Sequence, residues 1–246
     1  MLNLGNEPLE TDEGKRPLAT AEETTAPPES ATEKVTDAII HGIRSGVFVP
    51  GQHLLEPDLT RRLGISRGSL REALKHLAAA GVVTLNHFRG AYISTLDRKS
   101  VLDLLDTLEP LARLAARLAA QNCDSAEKQQ AMRDAAIAIE AASRSLNRAR
   151  YLDERRRFYN IMVELGGNRE LARVMPLSRT DLFRAQVETL QTEQQRQRHV
   201  AGYHRITKAI VEREPAAAER AVQKHFASTR QTMQELSAEA FSPSEH

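Results

Sequence analysis

The sequence has little of what builds disulfide frameworks, aromatic cores or membrane spans. Its 246 residues include one cysteine, Cys123, no tryptophan, and only 4% aromatic residues. One cysteine excludes an intrachain disulfide, and no cluster of cysteine and histidine has zinc-finger spacing. The apolar stretches are short and interrupted by charges, so we expect neither a secretory signal nor a transmembrane helix. The sequence therefore predicts a cytoplasmic protein with no membrane contact.

Catalytic motifs are missing as well. The sequence contains no Walker loop, no HExxH helix and no paired-carboxylate motif. The glycines at positions 46, 51, 64, 81, 90, 166 and 167 fall where helices end or the chain turns. We therefore predict that the protein is not an enzyme. The classes that remain are those of proteins that act by binding a partner.

What the chain does contain favours packed helices. Hydrophobic residues make up 41% of the sequence, enough for a core in each of two domains. Because aromatic residues are scarce, leucine, alanine, isoleucine and valine must fill these cores, which suits helices better than a β-sandwich. The net charge is only +1, but residues 32–96 carry eight Lys/Arg against five Asp/Glu. This segment is therefore the one suited to approach phosphate groups.

Hydrophobic periodicity divides the chain into four segments. Residues 1–31 are predicted to be a disordered tail and residues 241–246 a flexible C-terminus. Residues 32–96 are predicted to form a winged helix-turn-helix domain: a first helix that a capping box at Ser30–Glu33 begins, helices over 57–63 and 67–80, and a hairpin of strands 82–85 and 91–94. Residues 97–240 are predicted to form an antiparallel bundle of six helices, over 99–121, 125–147, 149–166, 169–193, 197–213 and 215–239. The predicted fold class is mainly α.

Residues 59–74 have the pattern of a helix-turn-helix. Leu59 and Leu63 pack the first helix, Gly64 makes the turn, and the Ser66 hydroxyl caps the second helix. The first turn of that second helix is then exposed and is predicted to enter the major groove of DNA with Ser66, Arg67, Gly68, Ser69 and Arg71. On this pattern alone, a helical interaction protein without DNA binding stays open as the alternative. Exposed arginines on helix pairs also occur in proteins that never bind DNA.

The hairpin supplies a second predicted contact with DNA. Its tip carries His87, Arg89 and Gly90. As a wing beside the second helix, these residues are predicted to lie over the adjacent phosphate backbone or minor groove.

The N-terminal stretch resembles the GntR family of winged-helix regulators. Residues 45–51 (SGVFVPG), 66–74 (SRGSLREAL) and 89–91 (RGA) follow the family's signature in order and spacing, within a match over 32–96. The resemblance implies that the two arginines of the second motif, Arg67 and Arg71, contact a double-stranded DNA operator. Gly68-Ser69 replaces the Thr-Pro or Thr-Thr that often follows the first arginine, which leaves the operator sequence open.

The C-terminal segment resembles the FCD ligand-binding domain of the FadR subfamily. The stretches that carry the resemblance are 108–112 (LEPLA), 157–161 (RFYNI), 167–168 (GN) and 203–210 (YHRITKAI). Six predicted helices imply its VanR-like branch. The resemblance implies a homodimer that binds a palindromic operator and responds to a small-molecule effector, with repression relieved by the ligand as the expected sign.

Many FCD domains bind a divalent metal through one aspartate and three histidines, and this sequence departs from that pattern. Two of the ligand positions match His204 and His225, but the other two are Arg155 and Tyr159. Because a guanidinium opposes a dication, we expect no cofactor and instead a site in which these four side chains bind a small organic acid directly. The alternative is a metal (Zn, Ni or Mn) on His204 and His225.

Each of these four residues also has an ordinary structural interpretation. His225, His204 and Tyr159 can be core residues, and Arg155 can belong to the charged face of residues 154–157. His199 is expected to be exposed.

Overall fold

The structure, a computed structural model, describes residues 30–145 and 147–241. The predicted tail (1–31) and the predicted C-terminal segment (241–246) lie outside the described residues except for positions 30, 31 and 241. The described part is mainly helical, with a small sheet near its N-terminal end, so the predicted fold class is confirmed. Among these residues, none of the helices combines the length and hydropathy that crossing a bilayer requires.

The first helix begins and ends at local signals. α1 spans Ala31–Ser45 and starts with a capping box, in which the Glu33 N–H donates to Ser30 Oγ at 3.1 Å and the Ser30 N–H donates to the Glu33 carboxylate at 2.8 Å. Gly46 ends the helix in the left-handed conformation with φ of +80°, which a residue without a Cβ adopts most easily. The predicted capping box is confirmed.

α2 and α3 form the predicted helix-turn-helix. α2 spans Glu56–Leu63, Gly64 turns the chain, and α3 spans Arg67–Ala79. The Ser69 N–H donates to Ser66 Oγ at 3.1 Å, so Ser66 is the N-cap of α3. The inner face of α3, which contacts α1, buries Leu70, Ala73, Leu74 and Leu77.

Three short antiparallel strands form the wing. β1 spans His53–Leu54, β2 spans Val83–Asn86 and β3 spans Gly90–Ile93, in the spatial order β1–β3–β2. Val83 pairs with Ile93 at one end of the hairpin. The sequence predicts the hairpin but not β1, because a strand of two residues is too short to show an alternating pattern.

Seven α-helices follow among the described residues, where the sequence predicts six. The predicted helix 169–193 is divided at Pro176, whose ring opposes continuation of the helix that precedes it. A 3-10 turn at Glu188–Leu190 then follows the second of these two shorter helices. The bounds are α4 Arg98–Asn122, α5 Ala126–Arg144, α6 Arg148–Gly166, α7 Arg169–Val174, α8 Leu177–Val187, α9 Glu193–Val211 and α10 Pro215–Glu235. The helix count is therefore not that of the six-helix branch.

The bundle is organised around α4. This helix packs against α10, α6 and α9, while α5 packs against α6 and α9. The buried face of α4 is rich in alanine, which lets its neighbours approach closely: Ala112, Ala115, Ala116, Ala119 and Ala120.

α8 contacts both the winged helix and the helical bundle. It packs against α1 and α6, and most of its side chains are buried. The Leu96 N–H, just after the wing, donates to Gln186 Oε1 at 3.2 Å, and Gln186 Nε2 donates to the Leu96 carbonyl at 2.9 Å. A Cβ on Gly81 would come 2.0 Å from Arg179 Nη1. The winged helix and the bundle therefore meet across α8.

Candidate functional site

The first turn of α3 presents the residues predicted to contact DNA. Arg67, Gly68 and Arg71 are exposed, and the Ser66 and Ser69 hydroxyls lie 2.9 Å apart at the N-cap. The Arg71 side chain is 69% exposed, and its Nε lies 3.4 Å from a Glu56 carboxylate oxygen. Such an exposed ion pair is weak and separates easily, so both arginines can turn towards a ligand in solution.

The tip of the wing carries an apolar ring as well as the predicted polar groups. Phe88 is 93% exposed and stacks on His87, with 4.9 Å between ring centroids and 13° between ring planes. Gly90 has φ of +87°, and a Cβ there would come 2.8 Å from His53 Nε2. Gly90 therefore shapes the turn, while His87 and Arg89 are exposed beside Phe88. Sequence reasoning missed Phe88, although an apolar residue at a hairpin tip is a usable signal.

A cleft between α3 and the wing brings several of the predicted groups together. Its lining includes Arg67, Arg71, Arg89 and Gly90. Three guanidinium groups around one concave surface provide the donors and the positive potential that contact with a nucleic-acid backbone requires. Two segments of the sequence, remote from each other in the chain, therefore form one cationic surface.

A second polar cluster is buried inside the bundle. Arg155 and Tyr159 of α6 are 1% and 2% exposed, and His225 of α10 is 1% exposed. The Arg155 guanidinium carbon lies 5.0 Å from the centroid of the Tyr159 ring, which is the distance of a cation–π contact. Three of the four residues predicted to bind an effector are therefore buried in the bundle.

The fourth predicted residue, His204, is not with them. Its side chain is 41% exposed at the bundle surface, and its Nε2 lies 2.9 Å from a Glu140 carboxylate oxygen of α5. The buried position of α9 is the preceding residue, Tyr203, whose ring centroid lies 4.7 Å from that of His225. A shift of one residue rotates a side chain about 100° around a helix axis, and the sequence pattern does not resolve this difference.

His199 was expected to be exposed, and this expectation is wrong. It is 1% exposed, and its ring centroid lies 4.9 Å from that of His225. Its Nε2 lies 3.3 Å from Thr229 Oγ1, and the same hydroxyl accepts from Arg184 Nη2 at 3.3 Å. One helical turn before Tyr203, His199 therefore shares the buried face of α9. Sequence reasoning missed His199, Tyr203, Arg184 and Thr229.

The missing Cβ of Gly202 makes room for this arrangement. A Cβ at Gly202 would come 2.1 Å from His225 Nδ1. α9 and α10 therefore approach closely where the imidazole lies.

Burial sets the ionisation of the cluster. It lowers the pKa of His199 and of His225 well below the usual value, and the Arg184 and Arg155 charges add to this effect. Burial also raises the pKa of Tyr159 to about 12. Both imidazoles and the phenol are therefore neutral at physiological pH, whereas the nearby guanidinium of Arg155 carries a positive charge.

Several buried polar atoms of the cluster have no hydrogen-bond partner among the described residues. They include Nε and Nη1 of Arg155, Nε of Arg184, both ring nitrogens of His225 and the Tyr203 hydroxyl. Buried polar groups in proteins are nearly always paired, because leaving one unpaired costs about 1–3 kcal/mol. The N–H and O–H groups among these atoms are able to donate hydrogen bonds to a ligand.

Two buried carboxylates border the cluster. The Asp181 carboxylate lies 3.7 Å from Arg155 Nη1 and 2.7 Å from Arg156 Nη1. A Glu188 oxygen lies 3.7 Å from Arg196 Nε. Burial raises the pKa of Asp181 and of Glu188, and the surrounding arginines oppose this shift.

These residues do not fit a divalent metal. Among the described residues no group of three or more His, Cys, Asp or Glu side chains could hold one. Next to the two imidazoles of His199 and His225 stand the guanidinium groups of Arg155 and Arg184, whose charge opposes a cation. The positive charge and the N–H donors of these arginines favour an anion over a cation at this place.

Comparisons with known sequences agree on the type of protein. Residues 31–93 match the family described as "Bacterial regulatory proteins, gntR family", and residues 103–228 match the FCD domain. The transcriptional regulator YdhC of Bacillus subtilis is 22% identical over 184 residues, which cover 75% of this chain and 82% of YdhC. The Nta operon transcriptional regulator of Aminobacter aminovorans is 34% identical over 80 residues, only 38% of its length.

Solved structures share the fold. McbR/YncC of E. coli has a TM-score of 0.74 at 16% identity, with 84% of this chain and 98% of that chain covered. A GntR-type regulator from Rhodococcus sp. RHA1 has a TM-score of 0.70 at 16% identity, with 82% and 97% covered. The chain therefore belongs to the GntR family of bacterial regulatory proteins and carries an FCD domain, the architecture of the FadR subfamily; it is a DNA-binding transcriptional regulator and not an enzyme.

Proposed function

We propose that this regulator is a cytoplasmic repressor that binds a palindromic operator as a homodimer and is released from it by a small organic acid. Residues 32–96 are the DNA-binding domain, and residues 97–240 bind the effector and form the dimer. The two-fold symmetry of a dimer matches that of an inverted repeat, so two α3 helices read two half-sites.

On the DNA side, the arginines carry the proposal. Arg67 and Arg71 project from the first turn of α3, and Arg89 stands across the cleft on the wing. A guanidinium bonds guanine O6 and N7 in a bidentate manner, which provides sequence recognition, while wing contacts provide register. Ser66 supports the interface by fixing the start of α3, and Gly68, Ser69, His87 and Gly90 complete it.

On the effector side, the buried Arg155 with two unpaired nitrogen atoms is the observation that carries the proposal. A carboxylate accepts two parallel hydrogen bonds from one guanidinium, and such charge-assisted bonds are the strong ones in a buried site. The rings of Tyr159, Tyr203 and His225 surround that anion and add hydrogen bonds. Arg184 and His199 extend the site towards α8 and α9, whereas His204 lies outside it.

The experiment combines metal analysis with ligand binding. The full chain is purified without added metal, its metal content is measured, and a panel of small mono- and dicarboxylates is tested for an increase in Tm. Arg155→Gln removes the charge at the centre of the cluster, and Arg173→Gln removes an exposed charge on α7 as the matched control.

The metal analysis and the carboxylate titration together distinguish an anion site from a metal site. We expect a metal-free protein whose Tm rises with one chemical class of carboxylate, and a loss of this response in Arg155→Gln but not in Arg173→Gln. Stoichiometric metal, or an Arg155→Gln variant that responds like the wild type, would overturn the proposed anion site.

A further inference from the structure

We propose that Asp181 is the positioning residue that transmits effector binding to the DNA-binding domain. This inference rests on the proposed function, because it takes Arg155 as the group that binds the effector anion. Asp181 lies on α8, the helix that contacts both parts of the chain, and its side chain is 1% exposed.

One carboxylate holds three guanidinium groups from two parts of the molecule. Asp181 Oδ1 lies 3.7 Å from Arg155 Nη1, and Asp181 Oδ2 lies 2.7 Å from Arg156 Nη1. Asp181 Oδ2 also lies 3.4 Å from Nη1 of Arg44, whose Nε donates to Asp153 Oδ1 at 2.5 Å. Arg44 belongs to α1 of the winged helix, so this ion network crosses between the domains.

The three guanidinium groups compete for the Asp181 carboxylate, and this competition gives the ion network two states. Arg155 has Asp181 as its nearby carboxylate at 3.7 Å, a distance that leaves Nη1 without a hydrogen bond. An anion bound at Arg155 takes over that guanidinium, and the attraction of Asp181 is then divided between Arg44 and Arg156. Because the Asp181 carboxylate and the Arg155 guanidinium are buried, solvent screens this redistribution little.

The packing around Arg44 connects the network to the DNA contact surface. α1 packs against α3, whose first turn carries Arg67 and Arg71. On the same α8, Arg179 contacts Gly81 and Gln186 hydrogen-bonds to Leu96 at the two ends of the hairpin. A change in the Asp181–Arg44 contact therefore changes the position of the winged helix relative to the bundle.

Arg156 supplies a matched control. It contacts the same Asp181 oxygen as Arg44, at 2.7 Å instead of 3.4 Å, and its side chain is 26% exposed. Arg156 lies on α6, so this contact stays within the bundle. Its removal weakens the network without cutting the connection to α1.

The test is a mutant cycle on operator affinity that needs no known effector. The probe is a duplex that the wild-type protein selects from a random-sequence pool, and binding is measured by fluorescence anisotropy with the full chain. Arg155→Gln is introduced into the wild type and into the Arg44→Gln, Asp181→Asn and Arg156→Gln backgrounds. Circular dichroism and Tm identify variants that are folded. Arg44→Lys, which keeps the charge, is a fourth background if Asp181→Asn fails to fold.

The inference predicts that the effect of Arg155→Gln depends on the background. In the wild type and in Arg156→Gln, we expect Arg155→Gln to change the operator Kd by about fivefold or more. In Arg44→Gln and Asp181→Asn, the change falls below about twofold, because non-additivity shows that residues act through one network. Arg44→Lys restores part of the effect. Equal changes in all backgrounds, or no change in the wild type, would overturn the role of Asp181.

This test separates the two proposals. If no carboxylate raises the Tm but the cycle is non-additive, the effector assignment fails and the coupling through Asp181 stands. If a carboxylate binds at Arg155 and the cycle is additive, the effector site stands and the coupling fails.

Discussion

The two arginine clusters of this protein differ in almost every physical respect. Arg67 and Arg71 lie on the surface of α3, where water solvates their charges, and their positions follow from a local motif. Arg155 and Arg184 are buried in the bundle among tyrosines and imidazoles, on two different helices. A solvated guanidinium has little effect on folding, whereas a buried one must be balanced by nearby groups.

This difference determines whether each site can be recognised in the sequence or only in the structure. An exposed cationic surface can be inferred from the sequence, because a capped helix start and its arginines are adjacent in the chain. A buried polar site draws its residues from four helices, and only the packing of those helices places them together.

The largest contrast is between two glycines. Gly202→Ala should lower the free energy of unfolding by about 3 kcal/mol, because the new Cβ would lie 2.1 Å from His225 Nδ1. Gly68→Ala in the exposed first turn of α3 should instead raise it by about 0.5 kcal/mol, since alanine favours a helix and the nearest atom is 3.7 Å away. Urea unfolding of both variants measures this. Similar changes in both would contradict the tight packing inferred at His225.

The buried histidines predict acid sensitivity. Their pKa values are lowered in the folded protein, so below the unfolded-state pKa of about 6.5 the unfolded chain takes up protons that the folded chain does not. The contribution of these two histidines to the free energy of unfolding is thus complete above about pH 6.5 and is lost as the pH falls. Between about pH 7 and pH 5.5 we expect a loss of about 2 kcal/mol, after a small opposing contribution from the raised pKa values of Asp181 and Glu188.

Urea unfolding at several pH values measures this loss. His225→Gln should remove about half of the pH dependence, because it removes one of the two buried imidazoles. A flat profile for the wild type would show that the imidazoles are not held neutral.

On the exposed cluster, the expected effect is on binding and not on folding. Arg67→Ala should weaken binding to the selected operator by about 1.5 kcal/mol, roughly tenfold, and relax preference at one base step. Arg173→Ala, an exposed arginine of α7 paired with Glu170, is the control and should change nothing. Anisotropy titrations against the operator and single-base variants distinguish the two. Unchanged preference in Arg67→Ala would remove this residue from the reading surface.

The smallest expected effect concerns the wing. Phe88→Ala should weaken operator binding by about 1 kcal/mol without altering its salt dependence, because an apolar ring releases no counterions. Arg89→Ala should instead reduce the slope of log K against log salt by about 1. Affinity measured over a series of salt concentrations tests both. A Phe88→Ala slope that changes like that of Arg89→Ala would contradict an apolar contact.

Features that a few neighbouring residues encode are predictable from the sequence, whereas features that depend on residues far apart in the chain are not. The capping box at Ser30, the turn at Gly64 and the cap of α3 at Ser66 are all local, and the structure has them where the sequence predicts them. The division of the helix 169–193 was missed although Pro176 is visible, because helical periodicity on both sides masked it. The two-residue β1 carried no pattern at all.

In the bundle, the sequence alone determined which residue types are available, and the tertiary structure decided which of them meet. Arg155 and Tyr159 are one helical turn apart, so their shared face follows from the sequence. Whether that face meets His199 and Tyr203 or His204 depends on the rotation of α9 about its own axis, which Gly202 and the packing against α10 determine. The sequence thus determined a winged helix-turn-helix with its exposed arginines, because hydrogen bonds and caps between near neighbours define it. Only the packing of helices far apart in the chain decided the buried cluster and the Asp181 network.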